Sequence, residues 1–359
     1  MTAASQPAAA TIGVIVVTFN AEDVILDCLE SLMAVTDTPL KVIVVENASQ
    51  DNTALAIQDW ASGQQPYVAP DDLPIPLPAC TKPVALTEIS AVPTGPGSLA
   101  PITLIHSAAN TGFAGGVNLG LAVAATDPDI AHFWVLNPDS ITTAQTPALY
   151  AACAAANPDY GLMGGRTCYM DPPDQIQIDG GTVNLWTGVT GNLNLGASHK
   201  ATPPPESSQM VFVTGANLLV SRKFYDAVGP MREDYFLYYE EVDWAFRRGD
   251  FGLLYCNDTL IYHRAGTAIG SPTLARIASP FSLYFKYRSR MLFIRRFHPV
   301  ALPLTYLYAM AKAAQIFLKG ARREAWALVC ALHGLKPPKE VRERLSPEAA
   351  RIAFKRPKP

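Results

Sequence analysis

Ten consecutive residues, Tyr235-Phe236-Leu237-Tyr238-Tyr239-Glu240-Glu241-Val242-Asp243-Trp244, hold five aromatic side chains and three carboxylates. Crowded acids repel one another, and burial against rings disfavours their charged form. Such crowding suits a site that needs a base, a metal or a cation. A plainer reading stands beside it. The stretch also fits a solvated helix start, with Glu240 and Glu241 favoured by the helix dipole and Asp243 paired with Arg247 four residues on.

Further chemistry-bearing residues lie at the ends of apolar runs. Asn137-Pro138-Asp139-Ser140 follows His132-Phe133-Trp134-Val135-Leu136, and Asp139 there reads either as a helix cap or as a divalent-metal ligand that meets a diphosphate. His263 closes another such run, as a metal ligand or a hydrogen-bonded structural histidine. In the run from Asn110-Thr111-Gly112-Phe113 to Gly120, glycines before a helix either let the backbone approach an anion or make an ordinary tight turn.

Positioning these groups requires a sheet. Ile12-Gly13-Val14-Ile15-Val16-Val17-Thr18-Phe19 and Leu40-Lys41-Val42-Ile43-Val44-Val45-Glu46 are continuous, β-branched and apolar, as strands buried on both faces are. Helical spacing follows each, over residues 21–34 and 51–60. The alternation predicts an α/β fold, a mostly parallel central sheet flanked by helices. Ligands of such sheets sit beyond the carboxyl ends of the strands, where Thr18, Asn20, Glu46 and Asn47 fall. Strands are expected over 102–105 and 160–165, a return to the core over 210–220, and a β-hairpin over 252–256 and 259–262. The proline-dense residues 62–101 read as a surface insertion, partly disordered and without assigned chemistry.

Composition bounds the function. Nearly half of the 359 residues are hydrophobic, enough for a full core, and a net charge of -3 does not point to nucleic acid. The six cysteines form no C-x-x-C pair and no metal spacing, and read as reduced thiols. The first ten residues lack the charged region and apolar core of a signal peptide, and no uncharged run is long enough to span a membrane. The expected location is therefore cytoplasmic. Late in the chain, residues 282–323 place Lys286, Arg288, Arg290, Arg295 and Arg296 among rings, then Lys312, Lys319, Arg322 and Arg323 after an apolar run. This reads either as a helical extension packed on the main domain or as a peripheral contact at the inner face of an anionic membrane. Residues 336–359 read as a charged, mobile tail.

Val16-Val17-Thr18-Phe19-Asn20, Val44-Val45-Glu46-Asn47-Ala48-Ser49, the run from Asn110 to Gly120, Leu136-Asn137-Pro138-Asp139-Ser140, Thr214-Gly215-Ala216 and the run from Phe236 to Trp244 together resemble family 2 glycosyltransferases. The resemblance covers residues 12–270 and is nearest to the rhamnosyltransferase-like group that builds bacterial surface polysaccharides. It implies a GT-A type nucleotide-sugar-binding fold over 12–270; outside it, the residues themselves read as a flexible arm at 1–11 and a helical extension at 271–335. It implies inverting transfer of a sugar from a nucleoside diphosphate (dTDP-rhamnose or a UDP-sugar) to a hydroxyl of a glycan or lipid-linked glycan. Thr18, Asn20, Glu46 and Asn47 would hold the nucleoside, and Asn110, Gly112, Phe113, Asn118, Asn137, Asp139 and Gly215 would complete the donor site. Asp139 and His263 would hold Mg²⁺ or Mn²⁺. Glu241 would be the base, Glu240 its assistant or an acceptor contact, and Asp243 the acid that follows them. Glu46 and Glu241 stand where the family usually has Asp, and the D-x-D motif is reduced to Asn137-Pro138-Asp139. A rival reading is a catalytically inactive nucleotide-sugar-binding or scaffold protein.

Overall fold

The computed structural model describes residues 10–264 and 277–355. Most of the arm expected at 1–11, the boundary drawn at 270–271 and the last four residues of the tail lie outside the described residues.

Strands β1 (Thr11–Thr18) and β2 (Leu40–Glu46) are the two β-branched runs, and helices α1 (Ile25–Met33) and α2 (Thr53–Ser62) follow them. Next come β3 (Leu86–Ile89), β4 (Ile102–His106), α3 (Gly112–Ala125), β5 (Ile130–Leu136), β6 (Ser140–Thr142), α4 (Thr146–Ala156) and β7 (Tyr160–Tyr169). Short strands β8 (Ile176–Ile178), β9 (Gly181–Asn184) and β10 (Val189–Asn192) precede β11 (Asn217–Ser221), α5 (Arg222–Val228), α6 (Glu240–Phe246) and β12 (Gly252–His263). Helices α7 (Pro280–Phe297), α8 (Leu302–Leu318), α9 (Arg322–His333), α10 (Lys339–Arg342) and α11 (Pro347–Ala353) close the chain.

The main sheet has ten strands in the order β3-β4-β2-β1-β5-β11-β7-β12-β6, with β8 beside β7. Strands β3, β4, β2, β1, β5, β7 and β12 run one way, and β11, β6 and β8 run the other. Because strand side chains alternate, β1 and β2 feed two cores. Ile15, Ile43 and Val45 pack under α3, whereas Val14, Val16, Val42 and Val44 pack with Ile25, Leu29, Ile57 and Trp60. That double burial is what selected continuous apolar runs.

The structure corrects three local expectations and decides a fourth point that was open. Residues 252–263 form one strand beside β7, not a hairpin. The turn signal at Asn257-Asp258 is absorbed as a register shift, with Asp258 at φ 64°. The proline-rich segment is seated on the domain. β3 extends the sheet edge in parallel with β4, and Leu77 is buried beside Ile141 and Tyr262. Buried Glu30 draws it in, accepting hydrogen bonds from the Cys80 backbone N–H and the Lys82 ammonium. The tail is helical where described, because Val341, Leu345, Ala349 and Ala353 close a cluster with Phe236, Phe281 and Phe285. Of the two readings of residues 282–323, the packed helical extension fits α7, whose cations largely face the protein. Arg288 donates to the Asp234 and Tyr235 carbonyls, Arg290 donates to the Tyr239 hydroxyl, and Arg296 pairs with Asp234.

Candidate active site

A cleft of about 420 Å³ lies beyond the carboxyl ends of β1, β2, β5 and β12. It gathers Asn20, Asn47, Asn110, Gly112, Phe113, Asn137, Asp139, Gly215, Glu240, Glu241 and His263 from positions spread across most of the chain.

Asp139 and His263 meet because β6 pairs antiparallel with β12, placing Ser140 opposite His263. The Asp139 Oδ1 and His263 Nε2 atoms are 3.1 Å apart. Gln177, from β8, orients the ring by accepting from Nδ1 at 2.6 Å, so in the neutral ring the Nε2 lone pair turns towards Asp139 and the amide of Asn137. A carboxylate oxygen and an imidazole lone pair at this separation suit a divalent cation that keeps water or phosphate oxygens as its remaining ligands. Among the described residues no group of three or more His, Cys, Asp or Glu converges, so the protein alone would not enclose an ion.

Glu240 and Glu241 start α6 after an unusual approach. Phe236, Tyr238 and Tyr239 have φ of 65°, 68° and 70°, a left-handed region that bulky residues avoid. Packing holds them there. The Phe236 carbonyl accepts from Phe113 N–H at 2.9 Å, Tyr239 donates to the Gly188 carbonyl at 2.5 Å, and the Tyr238 hydroxyl meets Ser282 at 2.6 Å. Gly112 is required at this crossing. A Cβ there would overlap the Phe236 carbonyl and lie 2.7 Å from its ring, and Gly112 itself has φ +77°. Glu240 is buried, Glu241 half-buried, and neither Oε2 atom has a hydrogen-bond partner. Burial, then the neighbouring Glu241, pushes the Glu240 carboxyl well above its ordinary range. Burial raises Glu241 to about 7, against relief from its own and Val242's N–H and from Lys286. The two act as one coupled pair, suited to taking a proton near neutral pH.

Other expected residues are turned elsewhere. Asp243 is fully buried and accepts from Tyr235 (2.9 Å) and Arg247 (2.5 Å), which anchors α6 from behind. Glu46 accepts from Ala48 and Ser49 N–H and shapes its own loop. The Thr18 hydroxyl bonds the Val45 carbonyl, and Asn118 holds Met231 and Glu233. The glycine run is not an open anion cradle. The N–H groups of Thr111, Gly112 and Phe113 are taken by Asn47, Asn110 and Phe236, while Gly116 and Gly120 let α3 sit close on Val17 and Ile15.

Gln177, Asn192 and Arg344 also line the cleft, none of them foreseen. Gln177 and Asn192 come from a loop-rich stretch without periodicity. Arg344 comes from the segment read as a tail, where only the apolar spacing of Val341, Leu345 and Ala349 hinted at docking.

Residues 13–69 match the family model described as glycosyl transferase family 2. A curated relative, the low-salt glycan biosynthesis hexosyltransferase Agl10 of Haloferax volcanii, is 24% identical over 196 residues. That match takes in 53% of this chain and 59% of the relative's own length. Among solved structures, GalNAc-T7 with UDP, GalNAc and Mn²⁺ superposes with a TM-score of 0.52 at 10% identity, over 90% of this chain and 56% of that one. The fold is of the GT-A type. Residues 1–349 of TarS from S. aureus superpose with a TM-score of 0.48 at 13% identity, over 96% of this chain and 88% of that one.

Proposed function

We propose that this chain is an inverting glycosyltransferase, moving a sugar from a nucleoside diphosphate to a hydroxyl of a glycan or lipid-linked glycan. The observation that carries the reading is the shared cleft. The Asp139–His263 pair and the Glu240–Glu241 pair open into one cavity at the carboxyl edge of the sheet, where this kind of fold binds its ligands. The family match over residues 13–69 supports it.

In this reading Asn20 and Phe113 hold the nucleoside side of the donor, and Asn47 and Asn110 brace the loop that carries Phe113. Asp139 and His263 hold Mg²⁺ or Mn²⁺ with Gln177 fixing the ring, and Arg344 faces the diphosphate. When bound, the ion supplies positive charge against the departing diphosphate. Glu241 accepts the proton of the attacking hydroxyl on the opposite side of the sugar, and Glu240 sustains its basicity through their coupling. The donor expected from the sequence resemblance is dTDP-rhamnose or a UDP-sugar.

The test is thermal unfolding with UDP, dTDP and GDP, each with and without Mn²⁺ or Mg²⁺. A ligand at about 100 times its dissociation constant adds about 2.7 kcal/mol, read as a shift of a few degrees. The expected result is one nucleotide that stabilises with metal, an effect lost in Asp139→Ala. No shift with any nucleotide would overturn the reading. A shift without sugar transfer or donor hydrolysis would favour an inactive binding protein.

No helix of the described residues is long and apolar enough to cross a membrane. The peripheral contact expected of residues 282–323 is proposed for α8 and the start of α9 only. There Leu304, Leu307, Phe317, Leu318 and Trp326 are exposed beside Lys312, Lys319 and Arg322, a pattern suited to an anionic lipid surface.

A further inference from the structure

A second cavity, of about 150 Å³, adjoins the main cleft at Glu241. The two share Gln177, Asn192, Thr214, Tyr238 and Glu241 as walls. The far wall is Lys286 of α7, with Thr190 and Tyr239 beside it. A void of this size holds one six-membered ring.

Two charged residues, Glu241 and Lys286, line this void. Glu241 Oε2 has no hydrogen-bond partner. Lys286 forms no ion pair within 4.0 Å among the described residues, and the charges acting on it are two cations, Arg290 and Lys312, against one carboxylate, Glu241. Burial, with those cations, lowers the ammonium to about 8, which still leaves it charged at neutral pH. A cation whose neighbouring cations outnumber its one neighbouring carboxylate, beside a ring-sized space walled by hydroxyls, amides and the apolar Ile178, Phe212 and Val242, is a stabilising partner for an anion. The carboxylate at the mouth of the same space needs a hydroxyl donor. One molecule satisfies both: a sugar ring that presents a hydroxyl to Glu241 and an anionic substituent to Lys286.

We propose that the side cavity is the acceptor subsite and that the acceptor's terminal sugar carries an anionic group, a carboxylate or a phosphate, recognised by Lys286. This rests on the glycosyltransferase reading of the main cleft, and it names the acceptor class that reading leaves open. The chemistry of transfer is unchanged by it. The acceptor hydroxyl loses its proton to Glu241 as its oxygen bonds the sugar carbon, and the nucleoside diphosphate leaves with the old bond's electrons. Lys286 is a specificity residue that touches the acceptor away from the reacting atoms.

The test is ligand-detected NMR on the full chain with methyl β-glucuronide, glucose 6-phosphate and methyl β-glucoside as probes. At least one anionic probe should bind about tenfold tighter than the neutral glucoside, as a charge-assisted hydrogen bond warrants. Which anionic probe wins tells carboxylate from phosphate. Lys286→Met should erase the preference and Lys286→Arg should keep much of it, which separates loss of charge from loss of fold. Equal binding of charged and neutral probes, no binding of either anionic probe, or a preference that survives in Lys286→Met would each overturn the proposal. Nucleotide thermal shifts on the same samples keep the two readings apart. A nucleotide response without anionic preference removes only the subsite, whereas its absence removes the donor site.

Discussion

Replacing Glu241 with Gln should make the protein inactive and, at alkaline pH, more stable. The Glu241 carboxyl titrates at about 7 in the folded chain against an ordinary 4.5, with burial the largest cause. The gap, about 2.5 on the pH scale, corresponds to about 3 kcal/mol. Below pH 4.5 the group is protonated in both folded and unfolded chains, and it contributes no difference. As pH rises towards 7, the unfolded chain releases this proton while the folded chain keeps it, so stability falls. Above about 7 the fall is complete. A glutamine fills the same space, accepts from the same backbone N–H groups and does not titrate. The variant should therefore nearly match the wild type at pH 4 and exceed it by up to about 3 kcal/mol at pH 8. Glu240, raised by burial and by Glu241, acts with the same sign in both proteins, more weakly in the variant because one neighbouring charge is gone. Urea unfolding at the two pH values measures the difference. Transfer should fall by about 10²–10⁴, the usual worth of a general base, with nucleotide-induced stabilisation retained. Stability–pH curves that run parallel for the two proteins would refute the buried-carboxylate account. Unimpaired turnover would refute the assignment of the base.

Gly112→Ala should cost about 2–4 kcal/mol in urea unfolding, since the added carbon overlaps the Phe236 carbonyl at a positive φ. It should also depress transfer by moving the loop that presents Glu241. Asp179→Ala should cost about 3–5 kcal/mol, because Arg166, itself buried, donates to both of its carboxylate oxygens and would be stranded. Wild-type protein should float with vesicles containing anionic lipid, and the double variant Leu307→Ser, Leu318→Ser should not. Equal flotation of the two would rule out the α8 surface.

The sheet and its ligand edge were legible in the sequence because their signal is local. The apolar runs of β1, β2 and β5 can be buried on both faces only between two layers of helices, and their ends carry Asn20, Asn47 and Asp139 to one edge by geometry alone. The polar stretch from Tyr235 stood out because its composition is costly anywhere but in a site. Other assignments depended on which chains meet across the fold. Asn118 is as polar as Asp139, yet Met231 and Glu233, distant in sequence, turn it inward, while Asp243 and Glu46 are taken by near neighbours, Arg247 and Tyr235 for the one and Ala48 and Ser49 for the other. Gln177 gains its role only because β8 lies near the end of β12. Lys286 and Arg344 sat in stretches read as a helical extension, packed on the domain or lying on a membrane, and as a mobile tail. The aromatic cluster around Phe236 and Phe285 folds both segments against the cleft. Periodicity shows that a helix has an apolar face, but what that face packs against is a long-range matter that only the tertiary structure decides.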